Sequence, residues 1–398
     1  MAEFNAQRFV ESQVQELRKT IESEKVLAAV SGGVDSTTAA TLVRKAIGPN
    51  VFSVFIDTGF MRTNEPDDII GTLSSLPLPL DVEVIDARKR FLDRTRGISD
   101  AERKRRLFRA TFYEVLSEEA RRRGCGFLVQ GTIAPDWIET RGGIKTQHNV
   151  LSQIGIDPKK RYGFRVLEPL VELYKFQVRE VAKVVGIREE LFQRQPFPGP
   201  GLSVRLVGAI TEKKLETLKR ADLIVRSHLD SKGCDQYFAA VLDRKTRRDR
   251  LTKKAETELR GHLHAYADMV NVGLLVNKAT GIEAGARKYG KVLAVSLTSK
   301  DRLVVPPIKE MVQAQNVVVN QSPGICHVLV ETARSLGRAP YVVAIRAVQT
   351  KDFMTAAVSE LDPSLLIETS QTILKECPQV SRTYYDVTPK PPATIEFE

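Results

Sequence analysis

The sequence predicts an α/β protein, a doubly wound parallel sheet followed by a smaller α+β domain. Three observations carry this expectation. Apolar runs of strand length at residues 26–30, 51–56, 82–85 and 127–130 alternate with stretches of helical periodicity, the pattern of parallel strands joined by crossover helices. Most of these runs lead into acids or glycines, residues suited to the ligand crevice at the carboxyl ends of parallel strands. From about residue 206 the pattern changes: residues 291–301, Lys-Val-Leu-Ala-Val-Ser-Leu-Thr-Ser-Lys-Asp, resemble residues 342–352, Val-Val-Ala-Ile-Arg-Ala-Val-Gln-Thr-Lys-Asp. Each copy reads strand, helix, strand, so the second domain is expected to hold a duplicated β-α-β unit at about residues 287–335 and 340–390. Chance likeness between two apolar strands ending in Lys-Asp is the competing explanation. The domains are expected at residues 1–205 and 206–398.

Along the chain, Val10, Val14, Leu17 and Ile21 recur at helical spacing and predict an amphipathic helix covering the sheet. Residues 26–41 then read Val-Leu-Ala-Ala-Val, Ser-Gly-Gly-Val-Asp-Ser-Thr, Thr-Ala-Ala-Thr. A buried strand passes through a tight turn into a helix. Gly32 and Gly33 let backbone N–H groups converge, and Ser31, Ser36 and Thr37 add hydroxyls beside the positive end of the helix dipole, which together make a phosphate cradle. No Gly-Lys-Ser/Thr follows, so this is not a Walker A loop. Two glycines alone would more often make an ordinary turn; the hydroxyls and Asp35 at this spacing favour the cradle.

The second run ends in Asp57-Thr-Gly-Phe-Met-Arg-Thr-Asn-Glu, which puts Asp57 and Gly59 near a nucleotide, with Arg62 and Glu65 beyond. The third run ends in Asp86. Residues 101–110, Ala-Glu-Arg-Lys-Arg-Arg-Leu-Phe-Arg-Ala, read by themselves as a solvated helix face. The fourth run leads into Gln130-Gly-Thr-Ile-Ala-Pro-Asp136-Trp-Ile-Glu139, where two acids share one face of a helical turn. They suit Mg²⁺ against triphosphate oxygens, or equally an acidic helix N-terminus. Residues 141–160 read as a loop whose Lys145 and His148 could close over phosphates. Lys175 and Arg179, four apart on the next helix, either reach the crevice or sit in water. Residues 194–205, Arg-Gln-Pro-Phe-Pro-Gly-Pro-Gly-Leu-Ser-Val-Arg, hold too many prolines and glycines for a helix or central strand and form a shaped loop or linker. The Arg- and Lys-dense residues 243–254 read as a solvated helix or surface loop.

Composition bounds the function. The 398 residues are 42% hydrophobic, enough for two globular domains. No apolar run is long enough to span a bilayer and the start lacks a basic-then-apolar leader, so the expected location is the cytoplasm. Cys125, Cys234, Cys326 and Cys377 are scattered without metal-ligand spacing and are expected to be reduced structural thiols. A net charge of +11 favours anionic ligands, either nucleic acid or phosphorylated small molecules.

The order Ser-Gly-Gly-Val-Asp-Ser resembles the pyrophosphate loop of the N-type ATP pyrophosphatases, whose fold is like that of the adenine nucleotide alpha hydrolases. With residues 57–65, 102–106, 130–139, His148-Asn149, Glu168-Pro169-Leu170, 196–205, Asp352-Phe-Met-Thr-Ala356, Ser381-Arg382, Tyr385-Asp386 and the ending Lys390-Pro-Pro-Ala-Thr-Ile-Glu396 in the same order, the chain resembles the GMP synthetases. These pieces match the ATP pyrophosphatase and dimerisation domains of that family. The resemblance implies adenylation of xanthosine monophosphate (XMP) at its C2 oxygen by ATP, then displacement of AMP by ammonia to give GMP. It implies catalytic roles for Asp136, Glu139, Lys145 and His148. It implies ATP binding by Ser31, Gly32, Gly33, Val34, Asp35, Ser36, Thr37, Asp57, Gly131 and Lys175, with Asp35 and Asp136 holding Mg²⁺. XMP falls to Arg105, Pro198, Gly199, Arg382, Lys390, Ile395 and Glu396.

The chain departs from the family at four positions: Gly285 stands where an Asp contacts the substrate, which either weakens base recognition or leaves nearby Glu283 to substitute, and Gln195, Arg109 and Phe397 replace a usual His, Gly and Trp. A glutaminase domain and its nucleophilic Cys are not seen, so ammonia is expected from a separate glutamine amidotransferase subunit or from solution. A homodimer through the second domain is also implied. Three other readings remain: an NAD synthetase-like ligase, which has no reason to carry the final nucleotide clamp; a tRNA-modifying enzyme, which would normally bring reactive cysteines or an RNA-binding module; and a nucleotide-binding regulator without turnover. Nucleic acid is therefore not the expected partner.

Overall fold

The computed structural model describes residues 4–135, 155–191, 197–350 and 354–398. They form two compact units, the first comprising residues up to Thr95 with Arg105–Pro200, the second Arg96–Lys104 with Gly201–Glu398.

The first unit is built on five parallel strands, β1 (Lys25–Ala29), β2 (Val51–Asp57), β3 (Val82–Asp86), β4 (Cys125–Val129) and β5 (Arg165–Leu167), in the order β3-β2-β1-β4-β5. Its helices are α1 (Ala6–Ile21), α2 (Val34–Ile47), α3 (Glu65–Ser74), α4 (Arg88–Thr95), α5 (Ala101–Arg123), α6 (Pro158–Tyr162) and α7 (Lys175–Val184). Helix α1 starts where the Asn5 side chain accepts the Arg8 N–H at 2.9 Å, an N-cap that satisfies one orphan donor of the first turn. Its Val10, Val14, Leu17 and Ile21 are buried as the spacing predicts, in one core with residues of β1, α2 and α7. Strand β1 pairs with β2 on one side and β4 on the other. The chain order therefore reverses at β1, and the crevice outside its carboxyl end is the switch point where doubly wound sheets bind ligands.

The second unit holds a nine-stranded sheet with β6 (Gln236–Asp243), β7 (Thr246–Arg247), β8 (Met269–Glu283), β9 (Ala286–Ser299), β10 (Arg302–Leu303), β11 (Ile325–Arg334), β12 (Tyr341–Gln349), β13 (Ala357–Val358) and β14 (Val380–Asp386). Helices α8 (Glu212–Leu229), α9 (Arg250–Leu263), α10 (Ile308–Gln321) and α11 (Pro363–Glu376) complete it. The two similar stretches each form strand, helix, strand: β9 and β11 pair in parallel around α10, and β12 and β14 pair in parallel around α11. The closing strands β11 and β14 lie side by side and antiparallel, Val330 opposite Tyr385. A local twofold axis through that seam would relate the two repeats. The basic stretch at 243–254 supplies the start of α9, capped by Asp249.

The boundary expected after residue 205 falls instead at Pro200/Gly201, and residues 96–104 join the second unit. The reason is local bonding: the Gly97 N–H donates to the Ile210 carbonyl at 2.9 Å, Arg96 pairs with Glu212, and Lys104 Nζ donates to the Leu206 carbonyl at 2.7 Å. Chain adjacency gave no warning of bonds this far apart in sequence.

Candidate functional site

The turn between β1 and α2 carries the loop. Gly32 has a positive φ of +74°, and a Cβ there would lie 2.5 Å from Ile69 Cγ1, so only glycine fits. Ser36 Oγ ties the turn together: it accepts the Ser31 N–H at 3.1 Å and donates to the Gly33 carbonyl at 3.2 Å. Gly33 occupies the N-cap of α2 and no side chain caps that end. The first-turn N–H groups and the helix dipole are thus presented to an anion. Thr37 is fully buried and its Oγ1 has no hydrogen-bond partner.

Asp35, in the first turn of α2, receives Lys175 Nζ of α7 at 2.6 and 2.8 Å. The structure therefore brings two expected nucleotide residues together. Lys175 follows Tyr174, whose N–H donates to Gln177 Oε1 at 2.8 Å where α7 begins. Gly131 belongs here for a packing reason: a Cβ on it would sit 2.5 Å from the Ser36 backbone nitrogen. Asp57 is part of its own turn, its Oδ1 accepting the Gly59 N–H at 2.8 Å and its Oδ2 lying 3.6 Å from Arg88 Nε. Glu65 accepts the Arg62 N–H at 3.2 Å, and the Arg62 guanidinium lies over the Phe197 ring at 4.4 Å. Asp136, Glu139, Lys145, His148 and Gln195 lie outside the described residues.

Among the described residues no group of three acids, histidines or cysteines could enclose a metal ion. Mg²⁺ does not need one, because it binds through one or two carboxylates with substrate phosphates supplying further oxygens. A half-buried aspartate at an uncapped helix N-terminus fits that donor chemistry.

Of the residues expected to meet XMP, Arg105, Pro198 and Gly199 belong to the first unit and Arg382, Lys390, Ile395 and Glu396 to the second. Arg105 is 7% exposed, whereas Pro198 and Gly199 are more open. In the second unit, residues 390–398 run along the sheet. The Lys390 N–H donates to the Ala356 carbonyl at 2.8 Å, and the Ile282 N–H to that of Pro392 at 2.7 Å. The Glu396 carboxylate accepts a two-point hydrogen bond from fully buried Arg205, both contacts 2.9 Å. Its side chain is therefore held by the protein, and Ile395 is packed in the core. Arg382, on β14, pairs at 3.3 Å with fully buried Glu331, which also holds Arg334 at 2.8 Å.

Gly285 lies in the β8–β9 turn, where Ala284 and Gly285 both have positive φ, 51° and 75°, the conformation of a two-residue type I′ hairpin loop. The Glu283 carboxylate pairs with Lys288 at 2.8 Å, so the acid nearest Gly285 already has a partner. Phe397 stacks on the His327 ring with centroids 4.4 Å apart.

Thr280 and Arg346 were not singled out in the sequence, and Arg205 and Lys104 only within the matched stretches 196–205 and 102–106. Lys104 meets Glu398 in a buried ion pair. Arg346 had left a signal, since it is the one charged residue in the apolar strand Tyr-Val-Val-Ala-Ile-Arg-Ala-Val-Gln, and a charge in a buried strand needs partners. The cysteines are free, and burial pushes the Cys125 and Cys377 thiols up to about 11 and the Cys326 thiol up to about 12. None of these three is poised as a nucleophile.

Comparisons with known proteins match both parts of the chain. Residues 6–189 match the PP-loop domain family and residues 308–397 the GMP synthase C terminal domain family. A subunit of the glutamine-hydrolyzing GMP synthase of Saccharolobus solfataricus is 42% identical over 400 residues, covering 99% of this chain and 100% of that protein. The corresponding subunit from Sulfurisphaera tokodaii is 40% identical with the same coverage, and that from Methanocaldococcus jannaschii 35%. With both of its units matched and its whole length aligned, the chain belongs to the family of these GMP synthase subunits.

Proposed function

We propose that this chain is the synthetase subunit of a two-subunit GMP synthase, a ligase that forms a C–N bond. The xanthine C2 oxygen of XMP attacks the α-phosphate of ATP and pyrophosphate leaves. Ammonia then adds at C2 and AMP departs with the former C2 oxygen, giving GMP. Hydroxide is too poor a leaving group for ammonia to displace directly, which is why adenylation comes first. The observation that carries this reading is the Ser31–Thr37 cradle at the sheet switch point, in a chain aligned end to end with subunits of glutamine-hydrolyzing GMP synthases.

In this reading the α2 N-terminus and the Ser31 and Ser36 hydroxyls hold the pyrophosphate. Lys175 exchanges Asp35 for a phosphate oxygen when ATP arrives. Asp35 is the described carboxylate suited to Mg²⁺, which would supply neutralisation of the departing pyrophosphate. Asp136, Glu139, Lys145 and His148 are assigned to the catalytic segment. Lys390, Ile395 and Glu396, with Arg105, Pro198, Gly199 and Arg382, are assigned to XMP. Ammonia comes from a separate glutamine amidotransferase, consistent with the relatives being named as subunits of glutamine-hydrolyzing enzymes. Homodimerisation through the second unit and a cytoplasmic location complete the proposal; no described helix is long and apolar enough to cross a membrane.

The test is pyrophosphate release from ATP and Mg²⁺ with ammonium and, in turn, XMP, inosine monophosphate, deamido-NAD or tRNA. Release that depends on XMP and yields GMP is expected. Release with one of the other acceptors and none with XMP would overturn the substrate and keep the adenylation chemistry.

A further inference from the structure

The segment assigned to the nucleotide is short, packs along the sheet with Ala393, Ile395 and Phe397 buried, and must present its groups in one arrangement. The sheet beneath it supplies the means. Arg346, on β12, is fully buried, and its guanidinium spreads over three separate carbonyls: Nε donates to Ile395 O at 3.0 Å, Nη2 to Thr394 O at 2.8 Å and Nη1 to Thr388 O at 2.9 Å. Nη1 also reaches Asp386 at 2.6 Å. Thr280, on β8, takes the next two positions: its Oγ1 donates to Glu396 O at 3.0 Å and its N–H to Phe397 O at 2.8 Å. Four consecutive carbonyls, 394 to 397, are thus committed to two side chains and one backbone group of the sheet. Behind them, His327 bridges Asp386 and the Thr280 carbonyl, at 2.7 and 3.0 Å, and stacks on Phe397. The two residues that hold the segment are joined through this histidine.

A fully buried arginine is expensive to keep unless every donor is matched. Here the planar fork is matched to the carbonyls of Ile395, which is assigned to substrate, of its neighbour Thr394 and of Thr388, a geometry that lysine, whose donors all sit on one nitrogen, cannot reproduce. From this we propose that Arg346 is a positioning residue for the nucleotide substrate, setting the arrangement of residues 394–397 with Thr280 as its second fastening. Arg346 touches no reacting atom. Its effect is pre-organisation: a loosened segment must be ordered again each time nucleotide binds, and that cost appears in substrate affinity. The inference rests on the reading that this segment meets the nucleotide.

The experiment compares the full chain with R346K and, separately, T280V, which keeps the N–H contact and removes the hydroxyl. Steady-state kinetics with ammonium give KM for XMP, KM for ATP and kcat, and amide hydrogen exchange reports the order of residues 393–397. The expected result is KM for XMP raised about tenfold or more in R346K and several-fold in T280V, KM for ATP within about twofold of wild type, and faster exchange confined to the segment. A merely structural arginine gives a lowered melting temperature with the KM for XMP unchanged in the folded fraction, and that result overturns the proposal. If R346K does not fold, T280V decides by the same split. If the wild type proves to use another acceptor, the substrate reading has failed, and the split is read on that acceptor's KM: a rise specific to it keeps the positioning role, and an unchanged KM removes it.

Discussion

Gly131 shows how close packing can demand glycine beside the turn that opens α2. Its Cα faces the first turn of α2 so closely that an added methyl would sit 2.5 and 2.6 Å from the Ser36 nitrogen and Asp35 carbonyl carbon. Backbone atoms in a helix cannot step aside as a flexible side chain can. G131A should therefore push the phosphate loop away from β4, lowering stability by about 1–3 kcal/mol and raising the KM for ATP by more than that for XMP. Thermal melts and the two KM values check this; an ATP KM equal to wild type would show that the loop had not moved. Asp35 and Lys175 are different in kind. Their 2.6 Å contact pairs two opposite charges at the start of α2.

At the scale of elements, strand β14 ends in a buried charge cluster. Asp386 is fully buried between Arg346 and His327. Burial opposes its ionisation, but the Arg346 guanidinium and the hydrogen bond to the His327 ring beside it prevail and hold the carboxyl below the usual carboxylate range. A carboxyl whose folded value lies below its unfolded value of about 3.9 contributes stability above that pH. The contribution is lost as the pH falls through the folded value. D386N should cost about 3–5 kcal/mol at neutral pH, the usual result of leaving a buried arginine uncompensated. It should also flatten the acid limb of stability below about pH 4. Denaturant melts across the acid range measure both; wild type and variant losing stability in parallel there would assign the titration to another group. The β8–β9 hairpin makes a complementary point. Its tip needs two residues at positive φ, and Ala284-Gly285 meets that need with glycine at the second position. Turn geometry thus accounts for Gly285 without reference to substrate.

At the scale of the whole molecule, the chemistry divides between this chain and a source of ammonia. The described cysteines are buried or half-buried, with thiols held above their ordinary value, so none suits glutamine hydrolysis. The purified chain should make GMP from XMP with ammonium and fail with glutamine, the difference disappearing when a separate glutamine amidotransferase is added. GMP formed from glutamine by the chain alone would overturn the two-subunit reading.

Local pattern and chain order were enough to determine much of this protein. Apolar runs and punctuating glycines located β1 to β4, the 3.6-residue stripe located α1, and Ser31 to Thr37 read as a cradle because a strand, a glycine turn and a helix start are adjacent in sequence. The likeness between residues 291–301 and 342–352 anticipated two strand–helix–strand elements for the same reason. Contacts between distant residues were decided only by the tertiary structure. Nothing near Glu396 foretold Arg205, 191 positions away, nor did Arg346 announce that its partners were carbonyls at 388, 394 and 395. Residues 96–104 lie in the middle of the first unit's sequence yet bond with the second. Secondary structure follows from neighbours along the chain, whereas a buried charge is satisfied by whichever group the packing brings within 3 Å or so, and that group carries no mark of it in its own sequence.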